Sequence, residues 1–443
     1  MTRFACIGDT HLFGGSRNAD RIRIVKQIVA EGIALDDLGA FIYPGDLFDA
    51  ASSTVNRNAL NDIVQTMAEH APVLICRGNH DGVGELDVFA KLAAKWPIYV
   101  VTSAQCLRVH CANGSDATVF FLSYPEKAVL VSSGVAPADI PQAAAVALDA
   151  IFLGAGTELA AARKRGDLTL MIGHGTIRGA KSSVGQPMGL ERDIAIDASQ
   201  LDRLGPIAKI WSHIHKPQEI HGAHYLGSIA PMDWGETGDH RWLIVDVDHD
   251  SSFTVESRRI NVPALWHVEG DLSRDGFTNV RATAGPDGEA LEMPSRCGVC
   301  GMTSAEGMVT TIEDGARVCD TCGNPVTVSW VGCEVRVRAR YHQSEGAILE
   351  AAQAHVKAQF AEALRFEFEP ICVPDRALRA PEVAVARTLG EKLHAWATVA
   401  GVVLPDDAAA KAEALDGPEA DSVVADVERR MAALVELQTR ITP

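Results

Sequence analysis

Residues able to hold divalent metals or move protons recur where short apolar runs end. FACIG leads into Asp9-Thr10-His11, and FIYPG leads into Asp46. VLICRG leads into Asn79-His80-Asp81, LTLMIG into His174, and IAKIWS into His213-Ile214-His215. Two divalent ions ~3.5–4 Å apart need a carboxylate to bridge them. A mixture of imidazoles with carboxylate and amide oxygens suits manganese, iron or zinc better than magnesium. In Asp-x-His and His-x-His, alternate residues of an extended segment point the same way, so both ligands face one side. Glycine before Asp46, Asn79 and His174 permits tight turns and close backbone approach. A lone histidine at a strand end is more often structural, and a Gly-Asp pair is more often a turn. Five such endings in one chain are a different matter.

The elements that must position these residues are legible as alternation. Apolar runs at Phe4–Ile7, Phe41–Tyr43, Val73–Cys76, Val119–Leu122, Leu168–Ile172, Ile207–Trp211 and Trp242–Val247 read as strands. Helical stretches such as Ala19–Glu31 and Asn56–His70 lie between them. This predicts an α/β domain over residues 1–262, with a site beyond the carboxyl ends of its strands.

In this order, GDTH, PGDLFD, RGNHD, IGHG and SHIH resemble the motifs of the calcineurin-like metallophosphoesterase superfamily. Ser212 departs from the pattern, which has Gly there, and a small change of backbone fit is expected. GDLFD (45–49), SHIHKPQ (212–218) and YLGSIAPMDWGETGDHRWLIVDVD (225–248) further resemble SbcD-type nuclease subunits of DNA double-strand-break repair. The resemblance covers residues 1–262 well, and the rest only in architecture. It implies a four-layer α/β/β/α sandwich, a small α+β capping domain and C-terminal helices. Asp9, His11, Asp46 and His215 would hold one metal, with manganese expected. Asp46, Asn79, His174 and His213 would hold the other, with Asp46 bridging. His80 would protonate the leaving 3′ oxygen or steady the transition state, and Asp81 would orient His80. The implied activity is 3′–5′ exonuclease on DNA ends and endonuclease on single strands, by a homodimer working with an SbcC-type coiled-coil ATPase. A small-molecule or cyclic-nucleotide phosphoesterase, or a scaffold that only binds DNA ends, are the rival readings.

Residues 263–375 read as the capping domain, with an insert at about 294–325. There CGVC and CDTC are separated by 18 residues, which is zinc-ribbon spacing. Cys297, Cys300, Cys319 and Cys322 are therefore expected to close a structural tetrahedral zinc, with a disulfide pair as the alternative. Such an insert is too small for its own core, and metal would supply its folding energy. The other cysteines are scattered through apolar contexts and read as reduced core thiols. In VRVRARY (335–341) a period of two puts Arg336, Arg338 and Arg340 on one strand face. They could contact DNA or form a solvated face. Arg178 and Lys181, in the loop after His174, could track a phosphate backbone or simply be solvated.

Residues 376–443 read as two helices around a loop at Pro405 and Gly417-Pro418. Val424, Val427, Met431, Leu434 and Ile441 form an apolar seam. It would pack on its own domain or, as the resemblance implies, dock on the ATPase. With 443 residues, two or three domains are expected. A net charge of −18 argues against a surface that is adhesive to nucleic acid throughout, yet leaves room for a local site. No apolar run reaches the ~18 residues that span a bilayer, and MTRFACIGDTH enters a strand without a signal-peptide pattern. A cytoplasmic protein, free of membrane, is expected.

Overall fold

The protein is described from a computed structural model. It describes residues 1–15, 17–128, 133–182, 193–236, 238–250, 252–274, 276–284, 329–374, 388–405 and 407–415, together with the backbone of four short strands between 295 and 328. The chain divides into two compact units. One is Met1–Arg340 with Ile348–Ile371, and the other is Tyr341–Ala347 with Cys372–Pro443.

The first unit opens with β1 (Thr2–Cys6), α1 (Asn18–Ile33), β2 (Leu38–Tyr43), α2 (Thr54–Ala68), β3 (Val73–Cys76) and β4 (Ile98–Val101). There follow β5 (Gln105–His110), β6 (Asp116–Leu122), α3 (Ile140–Arg165), β7 (Leu168–His174), β8 (Thr176–Ile177) and β9 (Ala195–Ile196). Next come α4 (Ala198–Asp202), β10 (Ala208–Ser212), β11 (Gln218–Ile220), β12 (Ala223–Tyr225), β13 (Arg241–Val247) and β14 (Phe253–Arg259). Two six-stranded sheets result, ordered β14-β13-β1-β2-β3-β4 and β11-β12-β10-β7-β6-β5. Strands β1 to β4 run parallel, as do β6, β7, β10 and β12. Their near-continuous apolar runs follow from burial on both faces.

Three apolar clusters separate the layers. Phe4, Ile42, Leu74 and Val245 of one sheet meet Val119, Phe121, Leu170 and Ile210 of the other. The outer face of the first sheet packs against Ile24, Val25 and Ile28 of α1 and Leu60, Ile63 and Val64 of α2. The outer face of the second packs against Leu148, Phe152 and Leu159 of α3. The helix Pro137–Arg165 is long and apolar enough to cross a membrane by composition, a pattern the reading by apolar runs passed over. In this fold its stripe Ala144, Leu148, Phe152, Ala155, Leu159 and Ala162 is buried, at helical spacing, as the cover of a sheet.

The same unit continues with β15 (Ala264–Ser273), β16 (Gly276–Ala284), β17 (Ser295–Cys297), β18 (Thr310–Glu313), β19 (Ala316–Cys319), β20 (Val326–Val328), β21 (Cys333–His342), α5 (Leu349–Gln359) and β22 (Arg365–Val373). β16-β15-β21-β22 form a four-stranded sheet, in which β15 and β21 are parallel. Val335, Val337 and Ala339 are buried, and Trp330 packs between Trp266 and Phe360. β17 pairs with β20 and β18 with β19, giving two small hairpin-like ladders. The side chains of Cys297 and Cys319, and Cys300 and Cys322 altogether, lie outside the described residues.

In the second unit, α6 (Leu389–Ala400) begins at a capping box, with Thr388 accepting from the Glu391 N–H and Glu391 from the Thr388 N–H. It ends at Gly401, whose φ of 66° is the left-handed cap that glycine favours. α7 (Ala408–Leu415) follows the loop at Pro405. The expected seam from Val424 to Ile441 lies outside the described residues.

Candidate metal centre

Each expected ligand follows the carboxyl end of a central strand. Asp9 and His11 follow β1, Asp46 follows β2, and Asn79 and His80 follow β3. His174 ends β7, and His213 and His215 follow β10. The turns that aim them are backbone-strained: His11, Asp46 and His213 have φ of 43°, 52° and 105°. Non-glycine residues hold such angles only where the surroundings impose them, and functional sites are where they gather. Gly45 has a φ of 120°, and a Cβ there would run into His174; a Cβ on Gly78 would strike the Asp46 carboxylate. The two glycines are what let the loops close.

Among the described residues, three groups have potential ligand atoms within 4.8 Å of one another: Asp9–His11–Asp46, Asp46–His174–His213, and His11–Asp49–His80. Asp46 belongs to the first two, the position of a bridging carboxylate. The histidines decide whether a cation fits. Each of four imidazoles spends one nitrogen on an oxygen acceptor: His11 Nδ1 on Asp49 (3.2 Å), His174 Nδ1 on the Pro44 carbonyl (2.8 Å), His213 Nε2 on Asp193 (3.1 Å) and His215 Nδ1 on Glu236 (2.5 Å). That places the N–H on the outside and leaves a lone pair on the inner nitrogen. The inner nitrogens converge on other acceptors. His215 Nε2 is 3.0 Å from His11 Nε2, His174 Nε2 is 3.0 Å from Asn79 Oδ1, and His213 Nδ1 is 2.7 Å from the same oxygen. Once His174 and His215 give up their second protons, the inner lone pairs face one another and are satisfied by a cation between them, so the donor set fits divalent metals.

Electrostatics agree. Burial alone would raise the Asp46 pKa, but the imidazoles of His174 and His11 and the His80 N–H hold its carboxyl well below the usual range. Burial alone would lower His174 and His215. The charges of Asp46 and Asp9 lift His174 to about 9, and Glu236 with Asp9 and Asp46 lifts His215 to about 9. Imidazoles so surrounded by carboxylates are ready to exchange a proton for a metal.

His80 is exposed at the rim. Its N–H donates to Asp46 Oδ1 (2.9 Å), and its Nδ1 lies 2.7 Å from the Asp49 carbonyl oxygen, which leaves Nε2 for a substrate. The expectation that Asp81 orients His80 is corrected here. Asp81 is buried, and its carboxylate accepts backbone N–H bonds from Asp46, Leu47, Phe48 and Gly78. It ties the Asp46 loop to the Asn79 loop, while Asp49 holds His80. Asp49, Asp193 and Glu236 were missed as site residues; the signal was the second Asp of GDLFD and the Glu of WGE. Ser212, the departure from pattern, donates its hydroxyl to Asp9 Oδ2 at 3.1 Å, and the next N–H, of His213, donates to Asp9 Oδ1. Its side chain thus steadies a ligand.

Residues 2–217 match the family model of the calcineurin-like phosphoesterases. This span is a metallophosphoesterase domain, and it contains every expected ligand of the centre. Glu236, which holds His215, lies just beyond it.

Arg178 lines a cavity together with Asp193, the carboxylate that holds His213. Arg178 is exposed and ion-paired with Asp197 at 2.5 Å; Lys181 is exposed, its N–H donating to Gln218. Arg336, Arg338 and Arg340 do share one face of β21. Arg336 meets Glu369 (2.9 Å) and Glu367, Arg338 meets Glu369 (3.1 Å) and Glu269, and Arg340 meets Asp271 (3.0 Å). Their charge is answered by the neighbouring strands.

Proposed function

We propose that this chain is a DNA nuclease subunit that cuts 3′–5′ from DNA ends and opens single strands, in the cytoplasm, in repair and recombination. The observation that carries the hydrolytic part is the double set of ligands around Asp46 with His80 beside it. The substrate rests on the likeness of GDLFD, SHIHKPQ and the 225–248 segment to SbcD-type subunits. The same likeness favours a homodimer acting with an SbcC-type ATPase docked on the last helices, and the cysteine spacing favours one structural zinc.

Two divalent ions, manganese being the best match to these donors, would be held by Asp9, His11, Asp46 and His215 and by Asp46, Asn79, His174 and His213, and would supply Lewis-acid activation of water and neutralisation of phosphoryl charge. The chain's own groups do the rest. Asp49 fixes the His80 ring so that Nε2 faces the leaving oxygen, and His80 gives that oxygen its proton as the bond to phosphorus breaks. Asp81 keeps the Asp46 and Asn79 loops in register.

A second reading has its own observation. The arginines of β21 are neutralised by carboxylates, which favours a small phosphodiester over a polyanion. One assay separates the two: Mn²⁺ with linear duplex, circular single-stranded DNA and p-nitrophenyl phosphate esters, beside His80→Ala. Loss of DNA cutting by about 10²-fold or more in the variant, with metal content kept, supports the nuclease. Cleavage of the esters alone, also after adding an SbcC-type ATPase, rejects DNA as substrate. An inert wild-type chain with both metals bound leaves the end-binding scaffold.

A further inference from the structure

We propose that Trp234 is a positioning residue that ties the four-stranded sheet to the metal ligand His215, so that the seating of the sheet sets the geometry of that ligand. The inference goes beyond the nuclease reading and uses only the assignment of His215 as a ligand.

The segment from Ser228 to Glu236 is held from two sides. On the metal side, Glu236 accepts from His215 Nδ1 (2.5 Å), and its other oxygen accepts from the Met232 N–H (3.0 Å) and the Ser228 hydroxyl (3.0 Å). On the sheet side, the Trp234 indole N–H donates to Glu367 on β22 (2.7 Å), and the Trp234 carbonyl accepts from His267 on β15 (2.7 Å). The guanidinium groups of Arg17 and Arg365 lie over the Trp234 ring, at 5.3 and 5.5 Å from its centroid. Arg17 in turn donates to the Pro231 carbonyl and pairs with Glu334 on β21. Arg17, Trp234 and Glu334 are each 8% exposed. A buried cation, ring and carboxylate have no partners to exchange for, so displacement of the sheet must displace residues 231–234 with it. Two residues further on, that displacement reaches the carboxylate that fixes the His215 tautomer. Removing an outer partner of a metal-bound imidazole weakens metal binding by about 10–100-fold. Trp234 acts one step further out, at the low end of that range.

The test is Mn²⁺ titration by calorimetry, with electron paramagnetic resonance of the bound ions, on the full chain. Wild type is expected to bind two equivalents, and His215→Ala identifies which one depends on His215. Trp234→Ala is expected to weaken that equivalent about tenfold and leave the other unchanged. Trp234→Phe removes the indole hydrogen bond alone, and Glu367→Ala removes it together with the Glu367 pairs to Arg336 and Arg365, so both should give smaller losses that add less than fully in the double variant. Glu367 is 38% exposed on its side chain, so Glu367→Ala keeps the fold even where Trp234→Ala does not. Two equivalents of wild-type affinity in Glu367→Ala and Trp234→Phe would overturn the proposal. So would parallel weakening of both equivalents in step with a lower Tm, the mark of a merely structural residue. Wild-type affinity for every equivalent in His215→Ala would overturn the assignment of His215 and the proposal together.

Discussion

Asp49 stands between two histidines with different tasks. Its carboxylate lies 3.2 Å from His11 Nδ1 and 3.7 Å from His80 Nδ1, and its carbonyl takes the His80 ring at 2.7 Å. Asp49→Asn keeps the carbonyl but gives up the charged acceptor that fixes the His11 ring through Nδ1. It should lower metal affinity at the Asp9–His11 side about tenfold while leaving His80 in place; metal titration beside single-turnover kinetics checks this. Proton traffic gives a second expectation. His174 and His215, with pKa of about 9 in the metal-free protein, carry protons at neutral pH, and a metal takes the neutral imidazole. Metal affinity should therefore rise as pH climbs from about 6.5 through 9, with proton release that calorimetry in buffers of different ionisation enthalpy reads directly. The ligands were legible from sequence because their types and order are chemically demanding. Asp49, Asp193 and Glu236 were not, because a carboxylate that supports an imidazole can stand anywhere the fold brings it. Asp81 misled for a related reason. Next to His80 in sequence, it turns its carboxylate the other way, into four backbone N–H groups.

Among the elements, strand positions were readable where burial is complete. β1, β2, β3, β7 and β10 are apolar throughout because both faces are covered, and their ends locate the ligands. The edge strands β5 and β14 alternate weakly with exposed polar residues and escaped notice. The even face of β21 was read correctly as three arginines, but their partners were not. Glu269 and Asp271 come opposite Arg338 and Arg340 only because β15 pairs in parallel with β21 across the whole intervening insert. Asp167, between α3 and β7, shows what such pairing does to an element. Burial would raise its pKa, but Arg108, Thr118 and Arg165 outweigh that and hold it low. A depressed carboxylate adds stability above its unfolded pKa of about 3.9, and that stability is lost as pH falls through the folded value. Asp167→Asn should thus have a lower Tm than wild type at pH 7, and the two should converge as pH drops below about 4. Thermal denaturation across pH 2–7 tests the sign, since a gap that widens in acid contradicts it.

For the whole molecule, the first compact unit runs on through the expected boundary at 262, which lies between β14 and β15. Trp234 spans that boundary, which no linear reading could show, because its partners Arg17 and Glu367 lie 217 residues before it and 133 after it. The centre's carboxylates have a consequence for the order of events. Asp9, Asp46, Asp49, Asp193 and Glu236 gather at one crest of a chain whose net charge is −18. Before cations arrive, that crest repels a polyanion, and two divalent ions would cancel most of its carboxylate charge and with it most of that repulsion. On the proposed nuclease function, loading is then sequential: ions first, phosphate chain second. In stopped-flow mixing, protein pre-incubated with Mn²⁺ should engage DNA without delay. Protein premixed with DNA should show a lag set by metal entry, and the lag should shorten as salt screens the repulsion.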